Sequence, residues 1–558
     1  MTDPSAPPEP GPDDLFFLPL GGAGEIGMNL NLYGHDGHWL MVDLGITFGD
    51  PLYPGVDVMM PDPAFIEARR DKLAGLVLTH AHEDHLGAVP ELWRRLRCPV
   101  YATPFTAAFL RFKLREAGLT DKLPLTEVPL GGRLQVGPFD VTYIGMTHSI
   151  PESNALAIRT PLGTVLHTGD WKLDPEPVVG AASDEAALRA LGEEGVLALI
   201  GDSTNALVPG EAGSEGGVRK ALTDLFAGKP HRILVGCFAS NIARLDSIVH
   251  AAAANDRRVA LVGRSLWRMT EAARQAGYLR DLPPFIAEEE VGFFPRDKIV
   301  IVCTGSQGEP RAALPRIAAG DHRHVEIEPG DTAVFSSRVI PGNEKAIGAL
   351  QNRLAARGIE VVTDRDAPIH VSGHPARDEL TRMYQWARPR IAVPVHGEER
   401  HMRAHAALAR DCQVPEAPLV RNGDLLRLAP GKAEIVGHVP AGRLARDGRQ
   451  LIGIESEVLR ERGRALHNGS AVATLVIDRR GRLRETPRLS TVGLYDPDVG
   501  NGVLESVLDE IDAAIAKLPA ADAREDEAVQ QAARRAVRRA FHRALGKRPV
   551  TDIHIVRL

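Results

Sequence analysis

The segment Thr79-His80-Ala81-His82-Glu83-Asp84-His85-Leu86-Gly87 constrains this chain more than any other. It follows the apolar run AGLVL, which reads as a strand ending at Thr79, and it gathers His80, His82, Asp84 and His85 into one tight loop. Residues i and i+2 at a strand end point to the same side. The turn that follows swings Asp84 and His85 to a neighbouring point, so one segment can feed two metal ions. Imidazole and carboxylate suit zinc-like ions, and four such groups within six positions would be wasted in an ordinary polar turn. Three more apolar runs end the same way: FDVTYIGMTHS at His148, GTVLHTGDW at Asp170 and IAVPVHGE at His396. Taken singly, each reads more readily as a turn residue than as a ligand. Taken together, they complete a dinuclear set.

At 558 residues the chain is longer than one typical core, and its rhythm changes along its length. Residues 1–14, MTDPSAPPEPGPDD, have neither a basic start nor an apolar stretch and read as a disordered tail rather than a signal peptide. From 15 to 216 short apolar runs end in polar turns. From 217 to 372 strand and helix alternate, with RILVGC before NIARLDSIVHAAAAN and TAVFSS before NEKAIGALQNRLAARG, the pattern of a parallel α/β sheet. The first style returns over 373–436, so the α/β block is an insertion within the first domain. A linker is expected over 437–455. A small α+β unit is expected over 456–558, with the hairpin-like ATLVIDRRGRLRET, helices near 503–517 and 525–545, and the strand TDIHIVRL.

No run of about 18 apolar residues offers a membrane span. Cys98, Cys237, Cys303 and Cys412 lie far apart and read as reduced thiols rather than a disulfide framework or a zinc ribbon. The expectation is a cytoplasmic protein without a membrane partner. A net charge of -7 gives no global pull on nucleic acid, so any polyanion must be held by a local groove, metals and backbone amides.

The order and spacing of these residues resemble the metallo-β-lactamase superfamily, and the inserted block resembles its β-CASP branch. The run GGAGEIGMN, THAHEDH, MTHS, TGD, GDST, CFASN, HVSGH and PVHGE, with the C-terminal appendage, is similar to the bacterial ribonuclease J family. The resemblance implies an α/β fold: a metallo-β-lactamase αββα sandwich with an inserted parallel α/β β-CASP domain and a small α+β C-terminal domain. It implies two divalent ions, zinc or manganese, with His80, His82 and His148 on one, Asp84, His85 and His396 on the other, and Asp170 bridging. A water or hydroxide between them is then the nucleophile.

By the same resemblance Asp84 and Asp202 belong to the catalytic set, Asp202 orienting a ligand or a proton donor. His374 becomes the general acid for the leaving 3′ oxygen. The loops Ala239-Ser240-Asn241 and His370-Val371-Ser372-Gly373-His374 become the substrate-binding elements, with hydroxyls and bare amides beside helix starts suited to a phosphate. The implied activity is hydrolysis of RNA, as a 5′ to 3′ exonuclease preferring a 5′ monophosphate and as an endonuclease, in rRNA processing and mRNA decay. The implied assembly is a homodimer or higher homo-oligomer within RNA-degradation machinery.

Other readings have weaker support. Gly22, Gly24 and Gly27 spell G-x-G-x-x-G with Asp43 downstream, but MNLNLYGHDGHWLMVDLG alternates about a glycine turn and reads as a hairpin, whereas a dinucleotide fingerprint must open a helix. A small-molecule metallo-hydrolase has no use for the 225 residues between Asp170 and His396. DNA-directed β-CASP nucleases usually lack the last histidine, which PVHGE keeps. A non-catalytic scaffold would have lost ligands. The segment AARRAVRRAFHRALGKR reads as a solvated helix face rather than an RNA site, and Asp50 in FGDPLYPGVD as a turn residue with a weaker claim to a structural cation.

Overall fold

The structure, a computed structural model, describes residues 8–50, 52–496 and 502–558. It divides into two compact units, one running to Thr47 and resuming over Met60–Gly442, the other made of Phe48–Met59 and Arg443–Leu558.

The first unit is built on two facing sheets. One has eight strands in the order Glu434–His438, Asp424–Ala429, Leu15–Gly21, Leu30–His35, His38–Val42, Leu73–Val77, Val100–Ala102 and Leu125–Glu127. The other has six: Arg133–Val136, Phe139–Met146, Ser153–Thr160, Gly163–His167, Ala198–Asp202 and Ile391–Val395. Phe17, Tyr33, Val42 and Val77 of the first pack against Tyr143, Leu156, Val165 and Ile200 of the second, the inner faces that period-2 alternation supplies. Helices Glu185–Glu194, Arg377–Ala387 and Glu399–Asp411 cover the outer face of the six-stranded sheet, burying Leu188, Leu380, Tyr384 and Leu408 over Ala155, Leu166 and Leu199. Val89–Leu96 and Pro104–Glu116 are crossovers between parallel strands of the larger sheet. This is the expected αββα sandwich.

The inserted block is a parallel five-stranded sheet ordered Arg258–Val262, Ile299–Cys303, Ile233–Gly236, Thr332–Phe335 and Glu360–Val362. Its strands are apolar along most of their length, charged only at the starts Arg258 and Glu360, because helices cover them, as parallel sheets require.

In the second unit Ser470–Ile477 pairs antiparallel with Arg488–Val492 and parallel with Val550–Arg557. Helices Val503–Ala516 and Asp526–Leu545 pack on one face over Ala471, Ala473, Leu475 and Ile477. The arginine-rich helix turns Val529, Ala533, Val537 and Phe541 inward and its arginines outward. No helix among the described residues is long and apolar enough to cross a membrane.

Several boundaries differ from the sequence reading. Residues 1–7 of the expected tail lie outside the described residues, but Glu9 already pairs with Arg69 and Lys72, and Pro10 and Gly11 accept backbone bonds from Gly37 and Asp36. The stretch read as a linker contains the hairpin Arg443–Asp447 and Gln450–Gly453, closed at Gly448 with φ 60°. Phe48–Met59, read as part of the first domain, belongs to the second unit, where Val56 and Met59 pack with Ala445 and Leu459. The hairpin over ATLVIDRRGRLRET returns later than its sequence suggests, the second strand starting at Arg488.

Candidate metal centre

The expected ligands converge at one edge of the sandwich. Ligand atoms of His80, His82, His148 and Asp170 lie within 4.8 Å of one another, and so do those of Asp84, His85, Asp170 and His396, so Asp170 is common to both groups. His82 Nδ1 sits 3.1 Å from His80 Nε2 and 3.0 Å from His148 Nε2. Three imidazole nitrogens facing one another in a buried pocket make poor partners for each other and a good donor set for a cation. On the other side His85 Nε2 is 3.2 Å from Asp170 Oδ2, and His396 Nε2 is 3.1 Å from Asp84 Oδ2. The chemistry of this donor set fits a pair of divalent ions.

The strand expected to end at Thr79 leaves its ladder at Val77, and the reason is a residue the sequence reading took only as part of a decoy. Asp43 receives the Thr79 backbone N–H at 2.8 Å and the Thr79 hydroxyl at 2.8 Å, so a carboxylate replaces the next ladder partner. Asp43 Oδ2 also accepts from His85 Nδ1 at 2.7 Å, which turns Nε2 of that ring towards Asp170. Asp43 is fully buried and holds φ 64°, a left-handed conformation unusual outside glycine. The signal that could have found it is an aspartate closing its own apolar run, HWLMVD, the same grammar that reveals the ligands.

The remaining rings are aimed in the same way. His148 donates from Nδ1 to the Gly373 carbonyl at 2.6 Å, which leaves Nε2 for the centre, and His396 Nδ1 meets the Thr204 hydroxyl at 2.9 Å. Gly373 has no room for a side chain: a Cβ there would stand 2.8 Å from the His148 ring. The Gly22–Gly27 segment does not open a helix. It lies between the strands Leu15–Gly21 and Leu30–His35, with the Gly22 carbonyl accepting from His396 N–H and Asn29 bonding the Asp84 carbonyl.

Burial, with the other imidazoles adding to it, keeps His80 and His148 well below the usual histidine range and His82 at about 4, so all three present lone pairs. Burial acts on His85, His374 and His396 too, but Asp170 with Asp84 and Asp43, Asp202 with Asp170, and Asp170 with Asp202 and Asp84, respectively, outweigh it and pull each upward.

Residues 27–236 match the metallo-β-lactamase superfamily, 230–354 the ribonuclease J β-CASP domain, 358–415 the Zn-dependent metallo-hydrolase RNA specificity domain, and 457–558 the ribonuclease J C-terminal domain. A ribonuclease J from Sinorhizobium meliloti is 46% identical over 551 residues, 98% of each chain. The chain belongs to the ribonuclease J family. Another member, from Mycolicibacterium smegmatis, is 40% identical over 541 residues, 95% of this chain and 96% of its own. Among solved structures a protein of unknown function from Enterococcus faecalis V583 aligns with a TM-score of 0.52 at 16% identity, over 74% of this chain and 100% of that one, which speaks for the fold alone.

Within this ribonuclease J family chain, the loops singled out from the insertion reach the centre to different degrees. His374 donates from Nδ1 to Asp202 Oδ2 at 2.8 Å and stands 3.8 Å from Asp170 Oδ2, and its ring lies 5.0 Å from that of His148 and 5.6 Å from that of His396. Ser372 Oγ accepts from the His374 N–H and from Asn205 Nδ2. His370 is set back: burial and the Arg244 charge hold it at about 3, and it lies 3.4 Å from the Arg244 guanidinium. Val371 packs under Gly213. Ala239 and Ser240 are half-buried in a turn before the helix Ile242–Ala254, whose N-terminus is capped by Asn241 Oδ1 accepting from Arg244 N–H. Asn241 thus has a structural duty beyond any contact with substrate.

Behind both loops sits Arg244, fully buried, paired with Glu215 at 2.9 Å and donating to the Ser336 hydroxyl and the Ile369 carbonyl. Sequence reasoning missed it. Asp50, the weaker cation candidate, caps a turn by accepting from Leu52 N–H at 2.8 Å and joins none of the metal-capable groups found among the described residues.

Proposed function

We propose that this chain is a metal-dependent ribonuclease that hydrolyses RNA phosphodiester bonds at the His/Asp centre, from 5′-monophosphorylated ends as a 5′ to 3′ exonuclease and internally as an endonuclease. The observation that carries the reading is His374, which follows the insertion in the chain yet bonds Asp202, at the end of a strand before it, and stands 3.8 Å from the shared carboxylate Asp170. A small-ester hydrolase needs no such arrangement, and the matched region 358–415 bears the description of an RNA specificity domain.

His80, His82, His148 and Asp170 would hold one divalent ion and Asp84, His85, Asp170 and His396 the other, zinc or manganese. Such ions supply a water of lowered pKa and positive charge for the phosphate. The chain's own residues do the rest. Asp43, Gly373 and Thr204 fix the ligand rings. Asp202 holds His374 by Nδ1, which leaves Nε2 to give a proton to the departing 3′ oxygen, the alkoxide being too poor a leaving group without one. The Ser372 hydroxyl, already accepting two bonds, keeps its own hydrogen for a phosphate oxygen. Ser240, at a capped helix N-terminus, is the candidate for the terminal 5′ phosphate, where amides and helix dipole favour an anion. On the same family grounds the reading extends to a cytoplasmic homodimer or higher homo-oligomer acting in rRNA processing and mRNA decay, within an RNA-degradation assembly.

The test is one internally labelled RNA carrying either a 5′ monophosphate or a 5′ triphosphate, incubated with zinc, manganese or a chelator. Metal-dependent release of mononucleotides, faster from the monophosphate, is the expected result, with discrete internal fragments marking the endonuclease. Cleavage of DNA but not RNA, or none at all, would overturn the reading.

A further inference from the structure

In the second unit, the connection between Ser470–Ile477 and Arg488–Val492 carries Arg479, Arg480, Arg482 and Arg484, all exposed, in a chain of net charge -7. None of the four forms an ion pair among the described residues. The local acid, Asp478, cannot serve them fully, because its Oδ1 accepts the backbone N–H groups of Arg480 and Arg482 at 2.9 and 3.0 Å. In the long helix three of the five arginines face acids, Arg534 Asp552 and Arg539 and Arg543 Glu510, while Arg535 and Arg538 stand exposed along the helix rather than around a cavity. The turn therefore gathers four unpaired arginines within six positions, a local cationic surface of this unit.

The turn is also rigid. Gly481, at φ 80°, lies so close to residue 523 that a Cβ would stand 2.1 Å from the Ala523 carbonyl oxygen. Arg557 ties the same two segments together, its guanidinium donating to the carbonyls of Asp478 and Ala523. Between them opens a cavity of about 430 Å³ with Arg480, Arg482 and Arg524 among its walls, Leu483, Ile515 and Leu518 among its apolar surface, and Asp512 as its one carboxylate.

We propose that this cavity is an anchoring site for single-stranded RNA, the guanidiniums taking phosphates and the apolar surface taking a base. Arginine forks match phosphate oxygens in pairs, and a preformed turn loses little freedom on binding them. An apolar floor under a basic rim is the arrangement that binds unpaired nucleotides without regard to sequence, and a duplex keeps its base faces stacked out of reach. The proposal rests on the reading that RNA is the substrate and adds a second point of attachment, in the other unit.

The experiment uses the full chain and its variant R480Q/R482Q/R524Q. Anisotropy of a labelled single-stranded RNA of about 20 nucleotides is followed across salt concentrations in chelator, and metal-loaded hydrolysis of bis-p-nitrophenyl phosphate is measured beside it. The expected result is binding weakened about tenfold near 0.15 M salt, with the slope of log affinity against log salt reduced by about 2, as three lost contacts to a single strand require. Hydrolysis of the small diester stays unchanged, which shows that the variant is folded and its centre intact. The lysine variant R480K/R482K/R524K should recover most of the salt slope.

Equal affinity and equal slope for wild type and R480Q/R482Q/R524Q would overturn the site, as would unchanged RNA binding with an altered oligomeric mass, which would make the patch a protein contact. Failure of the wild type to cut RNA with metal present would instead count against the functional reading. The two failures are therefore told apart.

Discussion

Asp43 shows how much of a candidate metal centre lies in residues outside the donor set. It holds the Thr79 backbone, the Thr79 hydroxyl and the His85 ring at once, so Asp43→Asn should lower metal content about 10- to 100-fold in affinity while the chain stays folded. Competition with a chromogenic chelator measures this, and unchanged affinity would assign Asp43 to folding alone. Gly373→Ala should act on the opposite group, since the added methyl meets the His148 ring at 2.8 Å and displaces it from the carbonyl that aims it. Weaker metal binding with near-normal secondary structure by circular dichroism is the outcome to look for. His374→Ala should slow RNA cleavage by about 10²- to 10⁴-fold, the usual weight of a proton donor, and leave metal content intact. Loss of metal in that variant would make His374 a ligand instead. The seven candidate ligands were legible because four crowd the loop after one apolar run and His148, Asp170 and His396 each close another. Asp43 closes one too, but with no histidine beside it the residue was lost in the G-x-G-x-x-G decoy.

At the scale of elements, the parallel insertion could be read from its strand–helix rhythm, since strands covered by helices on both faces demand it, whereas the αββα layers followed only from the family resemblance. Local turns were less legible. The Asp447-Gly448 hairpin carries a recognised turn signal, yet with polar flanks it reads as linker. Arg244 was illegible for a different reason: its partner Glu215 and acceptors Ser336 and Ile369 come from three separate elements, and no local pattern announces that they meet. Because this pair is desolvated and holds both candidate substrate loops, Arg244→Met should cost about 3–5 kcal/mol of stability by leaving Glu215 unpaired. Urea unfolding measures the loss. Replacing both members with Met and Gln together should cost less than Arg244→Met alone, and additive losses would show that the two side chains do not depend on each other.

For the whole molecule the centre should act as a fastener. Imidazoles and carboxylates drawn from residue 80 to residue 396 lie within one ligand-sized cluster only in the folded chain, so metal that binds there stabilises the chain by mass action. Zinc at about 1,000 times its dissociation constant should add about 4 kcal/mol, read as a rise in Tm that chelator reverses. A melting curve indifferent to metal would mean that the ligands do not bind together. The division of the chain into units was the least legible feature, because Phe48–Met59 carries no mark of a partner lying nearly 400 residues downstream.

That division sets a schedule for biosynthesis. A ribosome adding about 5–20 residues per second delivers Phe48–Met59 within seconds, but the hairpin beginning at Arg443 follows only after most of the message has been translated. For that interval Val56 and Met59 have no core to enter. A nascent chain stalled before residue 443 should therefore be cut by protease between residues 48 and 59 and become resistant once the rest emerges.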